Sequence, residues 1–157
     1  MDSPPLYPTH TLNEALKRLN ISPLLPATVK YLQAHAADIN ADLKNLVLAE
    51  ITAFSESRNP DVLPELADHG PQHAPEILRL LRGGKIRDMQ FVSDYVRRRA
   101  EHRFPLEAIL HAYRCGHKVY SHWLREAVLT VIPSGEDSQQ TVAAMADFTL
   151  EYTDVIS

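Results

Sequence analysis

Residues 95–131 read YVRRRAEHRFPLEAILHAYRCGHKVYSHWLREAVLTV, and this stretch decides the fold. Phe104-Pro105 divides it in two. The residue before a proline is pushed out of the α region, while proline itself suits the first turn of a new helix. The sequence therefore predicts one helix that ends near Arg103 and a second helix that runs from Pro105 to Val131.

Apolar residues recur at three- and four-residue spacing along the second of these helices. The stripe consists of Leu106, Ile109, Leu110, Tyr113, Gly116, His117, Tyr120, Leu124, Ala127, Val128 and Val131. A stripe this long is typical of a helix that is buried by several neighbours. We therefore predict an all-α, multi-helix bundle built around one long central helix.

Helical patterns also flank this stretch on both sides. Upstream, apolar spacing and capping signals predict helices over residues 11–19, from Pro26 onward, and over 43–54, 61–67, 74–81 and 86–102. Downstream, a final helix carries the stripe Val142, Met145, Phe148, Thr149, Tyr152 and Ile156. We expect six to eight helices in total and no strand.

The chain length of 157 residues suits one domain with one core. Residues 1–10 hold Pro4, Pro5 and Pro8 and little to bury, so we predict a mobile N-terminal arm. Residues 11–157 are then a single all-α domain, and the family resemblance described below implies that it is regulatory. The last helical pattern is still running at Ser157, which we interpret as an N-terminal piece of a longer protein.

Composition argues against several classes of function. The net charge of -4 disfavours a phosphate-binding surface, so we predict that this domain itself binds no nucleic acid. Cys115 is the only cysteine, which excludes an intramolecular disulfide and fits a reducing cytoplasm. No stretch approaches the roughly 20 apolar residues that span a bilayer, so we predict a cytoplasmic protein with no membrane contact.

The run RRRAEHRFPLEAILHAYRCG at residues 97–116 resembles the signature of the N-terminal input domain of PucR/CdaR-type bacterial transcriptional regulators. The same domain type is described as an RsbT co-antagonist, RsbR-type, N-terminal domain. The matching elements are Arg99-Ala100, Pro105-Leu106-Glu107, Ala112-Tyr113-Arg114 and Gly116. Weaker similarity covers most of the chain beyond about Asn40.

One departure from the family pattern lies in the turn, where the family has glycine and this chain has Arg103. A non-glycine residue at a left-handed helix C-cap costs conformational energy. Either the turn is built differently here or Arg103 carries strain.

The resemblance implies a non-enzymatic sensory domain, in a family where it precedes a GGDEF-like segment and a helix-turn-helix, both absent from this chain. A small-molecule effector, a signalling partner or homodimer formation would shift the population of helix packings and so signal to those parts. The resemblance also implies two alternatives. One is an RsbR-type interaction module in stress signalling, and the other is a haem- or metal-binding sensor, since RsbR-type domains are related to globins by fold. A globin-like arrangement of the bundle is therefore a second possibility.

Four residues form the candidate site: Arg99, Tyr113, Arg114 and His117. Across a tight hairpin, Arg99 on the first arm approaches the first turns of the second arm. A permanently charged guanidinium needs a partner when it is buried, and Glu107 or a helix-end carbonyl can serve. The site is either a structural clamp of the hairpin or a binding place for an effector.

Histidines raise the question of a metal. His69 and His73 are four residues apart, the spacing that places two imidazoles on one helix face, but Gly70-Pro71 lies between them. We therefore interpret them as an exposed loop pair. His117 lies within the apolar stripe and is the proximal candidate in the haem alternative; otherwise it is a core or interface histidine with a hydrogen-bond partner.

Recognisable catalytic motifs are absent from the sequence. It has no nucleophile elbow, phosphate loop, cysteine-pair motif or acidic metal cluster. We therefore predict no catalytic, cofactor-binding or metal-binding residues.

The final helix supports a homodimer in this interpretation, because its apolar stripe must be covered. If the core of the domain covers only part of it, a second copy is the natural cover.

Overall fold

The computed structural model describes residues 11–20, 25–84, 90–131 and 136–156. These residues form eight helices and no strand, which confirms the all-α prediction. The helices are α1 (Thr11–Asn20), α2 (Leu25–Ala34), α3 (Ala36–Glu50), α4 (Thr52–Ser55), α5 (Val62–Leu81), α6 (Gln90–Glu101), α7 (Leu106–Val131) and α8 (Glu136–Ile156). The arm predicted for residues 1–10 lies outside the described residues.

Helix α7 supplies side chains to both hydrophobic cores of the domain. It packs against α8, α2 and α3, while α1 packs on α8 and α6 packs on α5. Ile109, Tyr113 and Leu124 of α7 belong to the main core, whereas Ala108 and Cys115 belong to a smaller core with α3 and α4. None of the described helices has the length and apolar character needed to cross a membrane.

The turn between α6 and α7 explains why the long helix starts where it does. Arg103 has a φ of 56°, in the left-handed region. The amide of Phe104 donates to the carbonyl of Arg99 at 2.9 Å, and that of Arg103 donates to Ala100 at 3.0 Å. This pair of bonds is a Schellman motif, which glycine normally completes. The predicted helix end is confirmed, and Arg103 carries the conformational cost.

Helix α5 corrects the predicted break at residues 68–71. It runs without interruption from Val62 to Leu81 and includes both Pro71 and Pro75. The two prolines are exposed, four residues apart, while the opposite face of the helix is buried. Burial of that face outweighs the two backbone hydrogen bonds that the prolines cannot donate.

Helix α3 begins and ends earlier than the helical pattern predicted. The predicted helix over residues 43–54 is divided at Ile51, whose φ of -120° and ψ of 99° are extended. Helix α3 therefore ends at Glu50, and the short α4 follows.

Two expectations about packing also change. Helix α6 packs mainly on α5, so residues 90–131 do not form the tight α6–α7 hairpin that the sequence suggested. Met145, Phe148 and Tyr152 of α8 are buried against the rest of the domain. A second copy is therefore not needed to cover that stripe, and the homodimer stays a prediction.

Candidate functional site

A small cavity lies between α3, α5, α6, α7 and α8 and has a volume of about 50 Å³. We call it the histidine–tyrosine cavity. Its polar lining residues are His69, His73, Tyr95, Tyr113, His117, Tyr120, Thr149, Tyr152 and Thr153. One water needs roughly 10–15 Å³ by this measure, so the cavity has room for about three to five waters.

A second pocket, of about 190 Å³, lies on the other side of the wall formed by α3 and α5. Both spaces are lined by Leu43, Val47, Leu66 and Gly70, and Pro71 lines only the outer one. One layer of side chains therefore separates the cavity from the outer pocket.

Helix α5 brings His69 and His73 together inside the domain. The four-residue spacing places both rings on one face, and the two Nε2 atoms lie 3.2 Å apart. His69 also stacks on Tyr95 of α6, with ring centroids 3.9 Å apart. Both histidines are buried, so the interpretation as an exposed loop pair was wrong.

A hydrogen-bonded chain links the two histidines to α8. The Nδ1 atom of His73 lies 2.8 Å from the hydroxyl oxygen of Tyr152. Each neutral imidazole carries one N–H, so the chain has two proton arrangements. If His73 donates to His69, Tyr152 donates to His73. If His69 donates to His73, then His73 donates to Tyr152, and the Tyr152 proton can point elsewhere.

Burial keeps both imidazoles neutral at physiological pH. It lowers the pKa of His69 to about 4. Burial, followed by the charge on His69, lowers the pKa of His73 to about 3. Near pH 7 the pair therefore offers N–H donors and lone pairs, without a positive charge.

Three tyrosine hydroxyls around the cavity are buried and unpaired. The hydroxyls of Tyr95, Tyr113 and Tyr120 have no hydrogen-bond partner among the described residues. Burial raises the pKa of all three, that of Tyr113 to about 12, so they stay protonated. Buried hydroxyls are normally satisfied by protein or by ordered water. The three residues that carry these hydroxyls line the cavity, whose accessible surface is mostly apolar.

His117 is held by α8 at the edge of the cavity. Thr153 donates its hydroxyl proton to the carbonyl of Thr149 at 2.9 Å, so its oxygen accepts from Nδ1 of His117 at 3.2 Å. This is the hydrogen-bonded histidine that the sequence offered as one alternative. The haem alternative does not fit this geometry, because a porphyrin is far larger than a space for a few waters.

Residues 37–157 match the family described as RsbT co-antagonist protein rsbRD N-terminal domain. The chain belongs to this family. The match to the RsbRD N-terminal domain covers α3 almost entirely and all of α4 to α8, and so includes every residue that lines the cavity. No curated protein and no solved structure matches the chain. A globin-like arrangement within the RsbRD N-terminal domain therefore stays a prediction.

Arg99 has a different partner from the two that the sequence suggested. It is completely buried and donates through Nη2 to the carboxylate of Glu65 on α5, and Arg98 donates to the same carboxylate. Arg99 also lies over the ring of Tyr95, 5.7 Å from its centroid. It thus joins α6 to α5 beside the cavity. Its Nε and Nη1 lack a hydrogen-bond partner in the described part of the chain, so an effector at Arg99 stays a prediction.

Arg114 lies apart from the other candidate residues. Its side chain is exposed on α7 and does not line the cavity, whereas Tyr113 and His117 do. Of the three basic residues at 97–99, Arg97 and Arg98 are exposed and Arg99 is buried. Arg97 pairs with Asp94 at 2.6 Å, Arg98 pairs with Glu65, and Arg99 is buried. That the RsbRD N-terminal domain itself binds no nucleic acid stays a prediction.

Sequence reasoning missed most of the cavity. Tyr120 and Tyr152 were assigned to apolar stripes, although four of the six tyrosines in the chain line this one space. Tyrosine hydroxyls on buried stripes of three different helices were a usable signal. Each hydroxyl needs a partner when it is buried.

Proposed function

We propose that this chain is a non-enzymatic regulatory input domain that responds to a small uncharged polar molecule in the histidine–tyrosine cavity. The observation that carries the proposal is the set of three buried hydroxyls, on Tyr95, Tyr113 and Tyr120, that lack partners among the described residues. The family match supports a regulatory role, because it names an RsbT co-antagonist N-terminal domain.

Occupancy of the cavity changes the free energy of this packing. An unsatisfied buried polar group costs roughly 1–3 kcal/mol. A molecule that hydrogen-bonds to two or three of the hydroxyls removes that cost only in the helix arrangement that brings them together. It therefore shifts the population toward this arrangement, as a regulatory ligand must.

The lining of the cavity selects against charge. No lysine or arginine is among the described residues that line it, and both histidines are neutral near pH 7. A buried carboxylate would lack a compensating cation, which is costly in a low-dielectric site. The flexible proton arrangement of His73 and Tyr152 suits a ligand that both donates and accepts.

In this proposal, a change in the occupancy of the cavity is transmitted through α8. Tyr152 and Ile156 line the cavity from the last two turns of that helix. A change of occupancy therefore acts on the end of the described chain. In the PucR-type regulators that the sequence resembles, the domains that follow would include a DNA-binding domain. A change in the position of α8 would alter how that domain is placed.

Acetamide and acetate provide the test, because they have nearly the same shape and differ in charge. We expect acetamide to raise the thermal midpoint of the domain and acetate to have no specific effect. Tyr113→Phe removes one unpaired hydroxyl, so it should raise the midpoint without ligand and reduce the response to acetamide. These opposite signs separate a binding role from a purely structural one.

Two results would contradict the proposal. One is an equal response to acetamide and acetate in the wild type. The other is an unchanged acetamide response in Tyr113→Phe. Tyr31→Phe is the matched control, because Tyr31 does not line the cavity. Its response should equal that of the wild type.

The family name favours a second candidate, an interaction module that binds a signalling protein of the RsbT type. The outer side of α8 exposes Leu150 and Val155, by 56% and 51%, which offers apolar surface to a partner. Co-elution with an RsbT-type protein, and its loss in Leu150→Glu, would support this function. Sedimentation of the domain alone at high micromolar concentration tests the proposed homodimer.

A further inference from the structure

A second cluster of reactive side chains lies outside the cavity, where the end of α3 meets α7. His111 and Cys115 are four residues apart on one face of α7, and Glu50 is the last residue of α3. Oε2 of Glu50 lies 2.9 Å from Nε2 of His111 and 3.5 Å from Sγ of Cys115. One atom from each of the three side chains thus lies within 4.8 Å of the other two.

Two of the three separations, those from Glu50 to His111 and from Glu50 to Cys115, are close to those of a tetrahedral zinc site. With Zn–S near 2.3 Å and Zn–N and Zn–O near 2.0–2.2 Å, tetrahedral angles require about 3.4 Å between nitrogen and oxygen and about 3.6 Å between sulfur and oxygen. The observed distances of 2.9 and 3.5 Å differ from these by at most about half an ångström. The third pair, Nε2 of His111 and Sγ of Cys115, lies within 4.8 Å.

The chemistry of the three ligand atoms selects the ion. Zinc accepts thiolate, imidazole and carboxylate together, whereas magnesium and calcium require oxygen ligands. Cys115 is buried, but Glu50 and His111 are each about one-third exposed, at 33% and 34%, so an ion can reach them from solvent. The carbonyl end of α3 adds a partial negative charge that favours a cation.

We propose that Glu50, His111 and Cys115 form a zinc-binding site with one coordination position left for water. No metal site was predicted here, because Glu50 lies far from the other two residues in the chain. The site is independent of the proposed function at the cavity. It would join α3 to α7 through a metal, at a place where hydrogen bonds now hold them together.

Substitution of Lys118 should affect metal binding in the opposite direction to substitution of a ligand. Lys118 follows Cys115 by three residues on α7. Its Nζ lies 3.5 Å from Oε1 of Glu50. The ammonium competes with a metal ion for the same carboxylate and repels its charge. Lys118→Gln should therefore tighten metal binding, while substitution of any of the three ligands weakens it.

Cobalt(II) titration of the reduced chain tests the site, because a cobalt–thiolate bond gives a charge-transfer absorption band. We expect one cobalt per chain, displacement by zinc, and release of a proton as the thiolate forms. Cys115→Ser should abolish the band, and His111→Gln and Glu50→Gln should each weaken binding by at least about tenfold. The control is His122→Gln, an exposed histidine on the same helix.

Several outcomes would overturn the proposal. One is the absence of a thiolate band in the wild type. Another is binding that survives His111→Gln, whose side chain is one-third exposed and can be replaced without disturbing the core. A third is binding that is kept in Cys115→Ser but lost in His73→Gln, which would place the ion at the buried histidine pair instead.

Discussion

Acidification from pH 7 to pH 5 should destabilise this domain through His69 and His73. An unfolded histidine has a pKa near 6.5. In the folded domain the two values are about 4 and about 3. Between these values the unfolded chain binds protons that the folded chain does not, so the free energy of unfolding falls as the pH falls.

The size of this effect follows from the same pKa values. Integration from pH 7 to pH 5 gives about 2 kcal/mol for each histidine and about 4 kcal/mol for the pair. For a domain of this length, 1 kcal/mol shifts the thermal midpoint by roughly 2–4 °C. The midpoint should therefore fall by roughly 8–16 °C over this range. Above about pH 7 the two histidines add no further change, because they are neutral in both states.

Urea denaturation at half-unit steps of pH measures the dependence. The double variant His69→Gln/His73→Gln should lose most of the slope between pH 7 and pH 5, because glutamine does not titrate. His122→Gln is the control and should keep the slope of the wild type, since that histidine is exposed. A double variant that folds and shows the same slope as the wild type would refute the assignment of acid sensitivity to this pair.

Three further predictions concern the turn, the long helix and the two arginines. Arg103→Gly should raise the free energy of unfolding by about 1 kcal/mol because glycine accepts a φ of 56°, whereas Arg103→Ala should leave it unchanged. Gly116→Ala should also raise the free energy of unfolding by about 1 kcal/mol, because the new methyl would meet only Leu43, at 4.0 Å. A loss of stability would show that α7 is more tightly packed there. Arg99→Ala should lower the free energy of unfolding by about 3–5 kcal/mol, and Arg114→Ala should lower it by less than about 1 kcal/mol. The two effects should add in the double variant. Clear non-additivity in the denaturation midpoints would place both arginines in one network.

Features set by neighbouring residues could be predicted from the sequence. Phe104-Pro105 and the apolar stripe located α7 to within one residue, and the departure from glycine at Arg103 pointed to a left-handed C-cap. These predictions depend on backbone sterics and helical spacing, which act over a few residues.

Features set by distant residues could not be predicted. Gly70-Pro71 is a strong local signal for a break, yet burial of one face of α5 keeps the helix intact. The partner of Arg99, Glu65, is 34 positions away, on a helix that was predicted to end two residues later. The cavity likewise depends on how three helices bring their tyrosines together, and periodicity only shows that those positions are buried.

The two prolines of α5 also determine where the domain can open. Pro71 and Pro75 have no N–H, so the carbonyls of Ala67 and Pro71 lack their usual backbone donors within α5. Gly70 makes the backbone of the helix more flexible at the same place. Outward bending at this point breaks fewer backbone hydrogen bonds than bending of an ordinary helix would. We expect α5 to bend outward at this point and open the cavity. Molecules would then exchange between the cavity and solvent through the outer pocket beside Pro71.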